Sequence, residues 1–277
     1  MPTPFTDDEY RLFSDWLARE YGLRFGPEKR EILRARLDPL RAALDLPTFE
    51  RLLFRVRFHP GREEDRRTLI AHLTNNESYF FRESSQLEIL RELLQELHRG
   101  AKAEGRPLRI LSAGAASGEE PYTLAAISRE VLGASASVDV TGVDVDEVAL
   151  ERAREAVYRT HALRGVGDDL RDRYFRPTEE GRWRLRERVR SAARFQHGNI
   201  VDPAWPDSLP AQDVVFCRNV LIYFDKPALQ RAAENLYRVV RPGGYLFLGH
   251  AESLTRMPTR FVPERRPGAV FYRRPKE

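Results

Sequence analysis

The most distinctive chemical pattern of this chain is a set of small residues between a short apolar run and two adjacent carboxylates. Residues 109–111 have the composition of a strand, and residues 112–118 are all glycine, alanine or serine. Such small residues let a backbone approach a ligand closely. Glu119 and Glu120 follow, and Pro121 suits the first turn of a helix, where a missing N–H costs little. The stretch therefore predicts a strand, a tight turn and a helix with an acidic start.

A second strand with an acid at its end completes a βαβ pattern. We expect a helix over residues 120–132 and a strand over residues 138–143, followed directly by Asp144. An acid at the tip of the second strand is typical of nucleotide-type cofactor sites, where it accepts hydrogen bonds from ribose hydroxyls. Capping of the following helix is the alternative role for Asp144.

The sequence of the loop at residues 112–118 is unlike those that bind two common classes of ligand. A dinucleotide site needs three glycines in the spacing G-x-G-x-x-G, and only Gly114 and Gly118 are present. A phosphate-binding loop needs lysine where this chain has Glu119, and a carboxylate would repel a phosphate. A carboxylate at a helix start suits a ligand with a cationic end and a ribose, such as S-adenosylmethionine, so we expect Glu120 to receive the ammonium group and Asp144 the ribose. Charge complementarity to the helix dipole is the alternative for both glutamates.

Composition limits the class of protein without naming a function. The 277 residues suffice for one large domain or two modest ones, and 42% are hydrophobic, which is adequate for a core. No apolar run approaches the roughly 18 residues of a membrane-spanning helix, and the first residues lack the features of a signal peptide. A single cysteine excludes an internal disulfide, and the histidines lack metal-ligand spacing, so we expect no bound metal. These features predict a cytoplasmic protein, and a formal charge of +4 favours acidic partners only where arginines cluster.

Residues 1–74 predict a small helical domain that holds no catalytic set. Thr6 and Glu9 have the spacing of a capping box, and Gly22 suits the end of the first helix. The second helix is expected to end before Pro39, where an Asp-Pro pair favours a new turn. No alternating strand pattern interrupts these residues.

From residue 108 onward, strand patterns alternate with helix patterns. This alternation predicts an α/β fold with a doubly wound, mostly parallel sheet, in which ligands bind at the carboxyl ends of the strands. We assign residues 75–277 to this domain. Strands are expected over residues 109–113, 138–143, 193–196, 213–217, 245–249 and 270–273, and helices over residues 85–99, 120–132, 146–156 and 227–240.

Five short motifs occur in order along the chain. They are SYFFRE at 78–83, SGEEPY at 117–122, DVD at 144–146, FCRNVLIYF at 216–224 and GGYLFLGHAES at 243–253. Together they closely resemble the motifs of the CheR family, the chemoreceptor glutamate methyltransferases of bacterial chemotaxis. The similarity extends over almost the whole chain, including the helical domain. It implies a class I S-adenosylmethionine-dependent methyltransferase with a small antiparallel β-subdomain inserted over residues 172–196.

The resemblance implies a reaction and a partner. The methyl group of S-adenosylmethionine would pass to glutamate carboxylates on the cytoplasmic methylation region of chemoreceptors, giving methyl esters and S-adenosylhomocysteine. A glutamate with a pKa of about 4.3 is already ionised at pH 7, so the enzyme needs to align the reactants rather than to remove a proton. We further expect a monomer that binds no nucleic acid and does not insert into membranes.

The resemblance also implies the residues of the site. Arg82 and Tyr223 would lie nearest the transferred methyl group, with Arg82 holding a carboxylate and Tyr223 orienting the attacking glutamate. A surface ion pair is the alternative for Arg82, and packing between a strand and a helix is the alternative for Tyr223. Ser78 replaces the family's frequent threonine, and Ile200 replaces its frequent leucine. The cofactor contacts carried over from the family are Asn76, Ser78, Arg82, Glu120, Asp144, Asn199, Ile200, Arg218 and Asn219.

Two basic features are implied to hold an acidic receptor. One is a helix face in the N-terminal domain, and the other is an alternation over residues 182–190 that predicts a strand with a basic face. The hairpin before this strand has only Gly181 where peptide-binding members carry Gly-x-Gly, so we expect an enzyme that does not depend on a receptor pentapeptide. A solvated helix face and charge protection of a sheet edge are the alternatives. The residues concerned are Lys29, Arg30, Arg34 and Arg36 on the helix and Arg184 and Arg186 on the strand.

Two other functions are compatible with the same cofactor. A nucleic-acid methyltransferase uses a similar sheet, and clustered arginines suit phosphate. Such enzymes commonly carry prolines in the loop after the fourth strand, whereas residues 218–221 of this chain contain none. The second alternative is a non-catalytic module that binds S-adenosylmethionine and signals through contacts.

Overall fold

The computed structural model describes residues 4–255 and 257–276. In the N-terminal part, the capping box is present as predicted, because Thr6 and Glu9 exchange hydrogen bonds between side chain and backbone N–H. Gly22 ends the first helix in the left-handed conformation, also as predicted. The helices of this part are α1 (Asp7–Tyr21), α2 (Arg30–Ala43), α3 (Phe49–Phe58) and α4 (Arg62–Leu73).

The predicted break at Pro39 is wrong, because α2 continues through this residue to Ala43. A proline inside a helix removes one hydrogen bond and costs roughly 3 kcal/mol. Leu33, Leu37 and Leu40 lie on the inner face of α2, and each is at most 5% exposed. Because each buried leucine stabilises the fold by roughly 1.5–3 kcal/mol, packing offsets the cost of the proline.

The remaining elements alternate between helix and strand. The helices are α5 (Ser84–Ala103), α6 (Glu119–Leu132), α7 (Glu147–Glu155), α8 (Asp168–Tyr174), α9 (Glu187–Arg190) and α10 (Lys226–Val239). The strands are β1 (Leu108–Ala113), β2 (Val138–Asp144), β3 (Val157–Tyr158), β4 (Phe175–Pro177), β5 (Trp183–Leu185), β6 (Ala193–His197), β7 (Gln212–Cys217), β8 (Val240–Leu248), β9 (Val262–Arg266) and β10 (Ala269–Arg273).

The large sheet confirms the predicted doubly wound α/β fold. Its strand order is β6-β2-β1-β7-β8-β10-β9, and all neighbours are parallel except β10, which is antiparallel to β8 and to β9. Strand β8 begins at Val240, before the predicted Tyr245, and β9 was not predicted. Only Val262 of β9 is a β-branched residue, so pairing with β10 rather than composition defines that strand.

Alternating side chains of the central strands build a hydrophobic core on each face of the large sheet. Ile110 of β1 and Phe216 of β7 belong to the core beneath α5 and α6. Leu111 and Cys217, one position further along each strand, belong to the core beneath α10. Cys217 is thus a core residue as predicted, and its burial raises the pKa of its thiol.

Within the described ranges, a small second sheet of order β3-β5-β4 is antiparallel, which confirms the β-subdomain. Its first strand, β3, lies before the predicted range of residues 172–196, since two residues are too short for a recognisable pattern. The strand predicted over residues 182–190 is wrong beyond Leu185, because α9 begins at Glu187. Leu185 and Val189 are both buried, and a spacing of four suits one face of a helix as well as a strand. The alternation could therefore not distinguish the two.

The carboxyl ends of the parallel strands meet at one edge of the large sheet, where the predicted cofactor and catalytic residues lie. In the two described ranges, no helix has both the length and the apolar character needed to cross a bilayer. The described histidine, cysteine, aspartate and glutamate side chains also form no group of three or more that could hold a metal ion.

Candidate active site

A cavity of about 250 Å³ lies at the carboxyl edge of the parallel strands. Its wall includes every residue predicted to contact the cofactor, together with both predicted catalytic residues. The helical N-terminal part closes the cavity on one side, a feature that the sequence did not indicate. Its wall residues from that part and the following linker include Tyr21, Leu23, Arg24, Phe25, Lys29, Ile32, Arg36, Leu73, Thr74 and Asn75.

An ion pair between Glu120 and Arg218 forms the most strongly charged part of the wall. Oε2 of Glu120 lies 2.5 Å from Nε of Arg218, and Oε1 accepts a hydrogen bond of 2.7 Å from the Ser112 hydroxyl. The Arg218 side chain is 3% exposed and also lies 3.5 Å from the carboxylate of Glu83. Two carboxylates thus share one guanidinium, and the uncompensated negative charge suits a cationic ligand group.

Asp144 projects from the end of β2 and is held by backbone N–H groups. Its two carboxylate oxygens accept hydrogen bonds from Ala116 N–H at 2.8 Å and Asp146 N–H at 2.9 Å. Burial raises the pKa of Asp144. The alternative role of Asp144 as a helix cap is wrong, because Asp146 caps α7 by accepting from Ala149 N–H. Asp144 therefore faces the cavity without a capping role.

The small-residue loop after β1 brings its backbone close to the neighbouring strand tip. Gly114 has φ +90°, and a Cβ at this position would lie 2.2 Å from Cγ2 of Val220. Ala116 also adopts the left-handed region, with φ 46°, which is unfavourable for an alanine. This tight turn aims the Ala116 N–H at Asp144. Only small residues fit this arrangement, which explains the composition of the loop.

Glu119, the neighbour of Glu120, does not line the cavity. It is 3% exposed, accepts hydrogen bonds from the Ser117 hydroxyl at 2.8 and 3.0 Å, and interacts with the side chain of Ser78. Burial raises the pKa of Glu119. The two adjacent glutamates therefore differ in environment, and only Glu120 is available to a ligand.

The linker between the helical part and α5 is anchored near the tip of β2. Both the Thr74 hydroxyl and the Asn76 side-chain amide donate to Oδ2 of Asp146 at 2.7 Å. Asp146 is 1% exposed, so these hydrogen bonds tie the linker to the start of α7. Asn76 is consequently held at the cavity wall by a residue whose role the sequence did not reveal.

Arg82 and Tyr223 are far apart in the sequence but line the same cavity. Among the described residues Arg82 makes no ion pair; its guanidinium lies 3.4 Å from the carbonyl of Glu77 and 5.4 Å from the ring centre of Tyr79. The hydroxyl of Tyr223 accepts a hydrogen bond of 3.2 Å from the Asn75 amide. Arg82 therefore lacks, among the described residues, the surface ion pair considered as its alternative role.

Asn199, Ile200 and Asn219 complete the predicted cofactor contacts. The Asn199 amide donates to the carbonyl of Glu20 at 2.6 Å, so it also joins the sheet edge to α1. Ile200 is buried and gives the wall an apolar surface. Asn219 has φ 60°, a conformation that asparagine tolerates better than most residues and that is common near functional sites.

The four residues of the predicted basic helix face have two different environments in the structure. Lys29 and Arg36 are seven positions apart, which is almost two helical turns, and both line the cavity. Arg30 instead pairs with Asp7 at 2.6 Å, and Arg34 pairs with Glu31 at 2.8 Å. Of this basic face, Lys29 and Arg36 are therefore the residues placed to meet a substrate that approaches the cavity.

The basic residues of the β-subdomain line a separate groove. Arg184 donates towards the carbonyl of Glu155, and Arg186 donates to the carbonyl of Asp172 at 3.1 Å. These contacts leave their positive charge unpaired by a carboxylate among the described residues. The groove is lined by Asp172, Arg173, Arg176, Arg184, Leu185, Arg186, Glu187, Arg188 and Arg190.

Comparison with known proteins follows the same division of the chain. The all-alpha domain model of CheR methyltransferases matches residues 8–74, and the SAM-binding domain model of CheR methyltransferases matches residues 76–268. The chain belongs to the CheR methyltransferase family. This family assignment shows a methyltransferase that uses S-adenosylmethionine, and it does not favour the nucleic-acid or non-catalytic alternatives.

Several relatives of this CheR protein are similar over most of its length. It is 33% identical to chemotaxis protein methyltransferase 2 of Vibrio cholerae, over 98% of this chain and 94% of that protein. It is 33% identical to chemotaxis protein methyltransferase 2 of Pseudomonas aeruginosa, over 90% of this chain and 88% of that protein. It is 40% identical to the probable biofilm formation methyltransferase WspC of Pseudomonas putida, over 71% of this chain and 46% of that protein.

The polar groups of the CheR cavity match those of S-adenosylmethionine. Glu120 offers a carboxylate to an ammonium group, and Asp144 offers two carboxylate oxygens to a ribose diol. Ile200 and Val220 add apolar surface on the same wall. When bound, the cofactor supplies a methyl group carried on a positively charged sulfur, and nearby carboxylates such as Glu120 and Asp144 would favour that charge.

Proposed function

We propose that this protein methylates glutamate side chains in the cytoplasmic region of chemoreceptors, with S-adenosylmethionine as methyl donor. The observation that carries this proposal is that Arg82 and Tyr223 line the same cavity as Glu120 and Asp144. A pocket lined by two cofactor-type acids together with a guanidinium and a phenol suits a carboxylate acceptor. The relatives named as chemotaxis protein methyltransferases support the same function.

The roles of the cavity residues follow from their chemistry. Arg82 would hold the substrate carboxylate through its guanidinium, which binds carboxylates through paired hydrogen bonds. Tyr223 would orient one carboxylate oxygen toward the methyl group through its hydroxyl. A glutamate has a pKa of about 4.3 and needs no proton removal at neutral pH, so catalysis rests on alignment and on exclusion of water. Asn76, Ser78, Asn199, Ile200, Arg218 and Asn219 would complete the cofactor site around Glu120 and Asp144.

Receptor docking is proposed to involve both basic regions. Lys29 and Arg36 line the cavity and would meet acidic residues beside the target glutamate. Arg30 and Arg34 would contribute to docking by exchanging the carboxylates of Asp7 and Glu31 for those of the receptor. Arg184 and Arg186 in the β-subdomain groove would contact a second acidic part of the receptor. We further propose that residues 1–74 form the docking domain and that the enzyme acts in the cytoplasm as a monomer, without a receptor pentapeptide.

The decisive experiment measures transfer of a labelled methyl group to receptor-containing membranes and to RNA and DNA. We expect label on the receptor as a base-labile ester, and loss of at least a hundredfold in the Arg82→Ala variant. Arg260→Ala is the matched control, because Arg260 is 59% exposed and pairs with Glu234 on α10. Label on nucleic acid, or on a receptor as a base-stable adduct, would contradict the proposal.

A further inference from the structure

Glu252, in the loop after β8, binds the loop that carries two of the proposed site residues. Its Oε1 accepts hydrogen bonds from the N–H groups of Val220 at 2.9 Å, Leu221 at 2.7 Å and Ile222 at 3.3 Å. Its Oε2 accepts from Asn219 N–H at 2.7 Å and from Gly249 N–H at 2.7 Å. A single carboxylate therefore receives the backbone donors of four consecutive residues, 219–222, and one from its own loop.

The backbone of the 219–222 loop has the shape that binds an anion. Asn219 is left-handed, with φ 60°, and Val220 is right-handed, with φ −113° and ψ −47°. This alternation points successive N–H groups toward one position and makes an anion-binding concavity. Without Glu252 these donors would lose the protein acceptor that they share, which is unfavourable wherever water cannot replace it. The carboxylate thus defines the conformation of the loop.

Gly249, at the tip of β8, packs closely against both Glu252 and Asn219. A Cβ at Gly249 would lie 2.8 Å from Oε2 of Glu252, 2.9 Å from Nδ2 of Asn219 and 3.0 Å from its backbone nitrogen. Glycine at this position lets the tips of β7 and β8 approach each other. The two tips are therefore joined through Glu252, and Asn219 lies directly against the junction.

We propose that Glu252 is a positioning residue that holds Asn219 and Tyr223 in place at the cavity wall. This inference rests on the proposed function for its catalytic readout, because Tyr223 is assigned there to the acceptor glutamate. Tyr223 follows the anchored loop directly and lines the cavity, as Asn219 does. Glutamine at position 252 would keep one acceptor but turn an NH₂ group toward the Asn219 and Gly249 donors. The loop would then shift, and a displacement of about 1 Å can cost a hundredfold in rate.

A double-mutant cycle with Glu252→Gln and Tyr223→Phe tests the proposal. We expect Glu252→Gln to lower kcat by about 10- to 100-fold in the wild-type background. Because the two residues act as one unit, the same change should lower kcat less than about threefold in the Tyr223→Phe background. Full additivity of the two effects would overturn the proposal. Glu234→Gln, an exposed glutamate on α10, is the matched control for loss of a carboxylate.

Hydrogen exchange gives a readout that does not depend on methyl transfer. The amides of residues 219–222 should exchange at least tenfold faster in Glu252→Gln than in wild type, while those of β1 and β2 stay protected. Unchanged exchange in residues 219–222, or equal acceleration throughout the sheet, would overturn the positioning role. If the wild-type protein transfers no methyl group to receptors, the proposed function fails, while this measurement still decides the role of Glu252.

Gly249→Ala provides a second route if Glu252→Gln does not fold. An added Cβ presses on the same contact from the β8 side and leaves the carboxylate in place. We expect the same local acceleration of exchange in residues 219–222 and the same reduced effect in the Tyr223→Phe background. A stable Gly249→Ala variant with wild-type exchange and kcat would overturn the proposal.

Discussion

The carboxylate of Glu120 and the guanidinium of Arg218 lie 2.5 Å apart although 98 positions separate them in the chain. Their contact joins the start of α6 to the tip of β7, and both residues line the cavity. Glu83 lies 3.5 Å from the same guanidinium, so the arginine stabilises two carboxylates at once. The arrangement keeps a negative charge in a half-buried wall, where it can bind a cationic ligand.

Glu120→Gln should weaken the binding of S-adenosylhomocysteine at least tenfold. The change removes the charge that faces the ligand ammonium and keeps the shape of the side chain, and hydrogen bonds to charged groups contribute about 1.5–3 kcal/mol. Titration calorimetry measures the effect. Ser112→Ala, which removes only the hydrogen bond from the serine hydroxyl to Glu120, is the control and should weaken binding less than about fivefold. Equal losses in the two variants would show that the charge is unimportant.

Substitutions of Asp144 and Asp146 should have different effects, the first on ligand binding and the second on the stability of the fold. Asp144→Asn should weaken S-adenosylhomocysteine binding about tenfold or more, because one acceptor for the ribose becomes a donor. Asp146→Ala should instead lower the free energy of unfolding by about 1–3 kcal/mol, since it removes a helix cap and the contacts to Thr74 and Asn76. Calorimetry and urea denaturation of both variants measure the two quantities. The reverse pattern would contradict the assigned roles.

Gly114→Ala should destabilise the protein through two effects that a second substitution can separate. The new Cβ would meet Val220 at 2.2 Å, and φ +90° is unfavourable for any residue with a Cβ. We expect a loss of more than about 2 kcal/mol in the free energy of unfolding, measured in urea. Adding Val220→Ala should restore the free energy of unfolding that the clash removes. A loss of about 1–2 kcal/mol from backbone strain should remain. No recovery in the double variant would show that the contact with Val220 is not the cause.

Glu119→Gln should have a pH-dependent effect on stability. Burial raises the pKa of Glu119 in the folded state, so the folded protein holds a proton that the unfolded chain has already released. Stability is therefore lost as the pH rises from the unfolded pKa through the folded pKa, and glutamine does not share this loss. The variant should gain stability relative to wild type as the pH rises above the unfolded pKa of about 4.3, by about 1.4 kcal/mol for each unit of the pKa difference.

Urea denaturation at several pH values measures this difference directly. Glu179→Gln, at an exposed position in the β4–β5 hairpin, is the control and should track wild type across the same range. A difference between Glu119→Gln and wild type that stays constant as the pH rises from about 4.3 upward would contradict a raised pKa at this site.

Local patterns in the sequence determined the order of helices and strands and indicated two cavity residues, while the resemblance to the CheR family implied the other predicted ones. The reason is that parallel strands bring their carboxyl ends to one edge, so acids and small residues at strand ends were bound to meet. Glu120 and Asp144 could be predicted on that basis, whereas the role of Arg218 was implied by the family resemblance. The capping box at Thr6 and Glu9 was equally local, because a cap depends only on neighbours within one turn.

Contacts between segments distant in the sequence determined the features that local patterns did not predict. Pro39 stays inside α2 because the leucines around it are buried against other helices, which no single-helix signal reveals. Leu185 and Val189 have a spacing that fits both a strand and a helix, so packing rather than pattern selected α9. The helical part closes the cavity with Lys29 and Arg36, and Glu252 binds the 219–222 loop through backbone N–H groups. Every residue but proline carries such a donor, so only the tertiary structure could show which ones Glu252 meets.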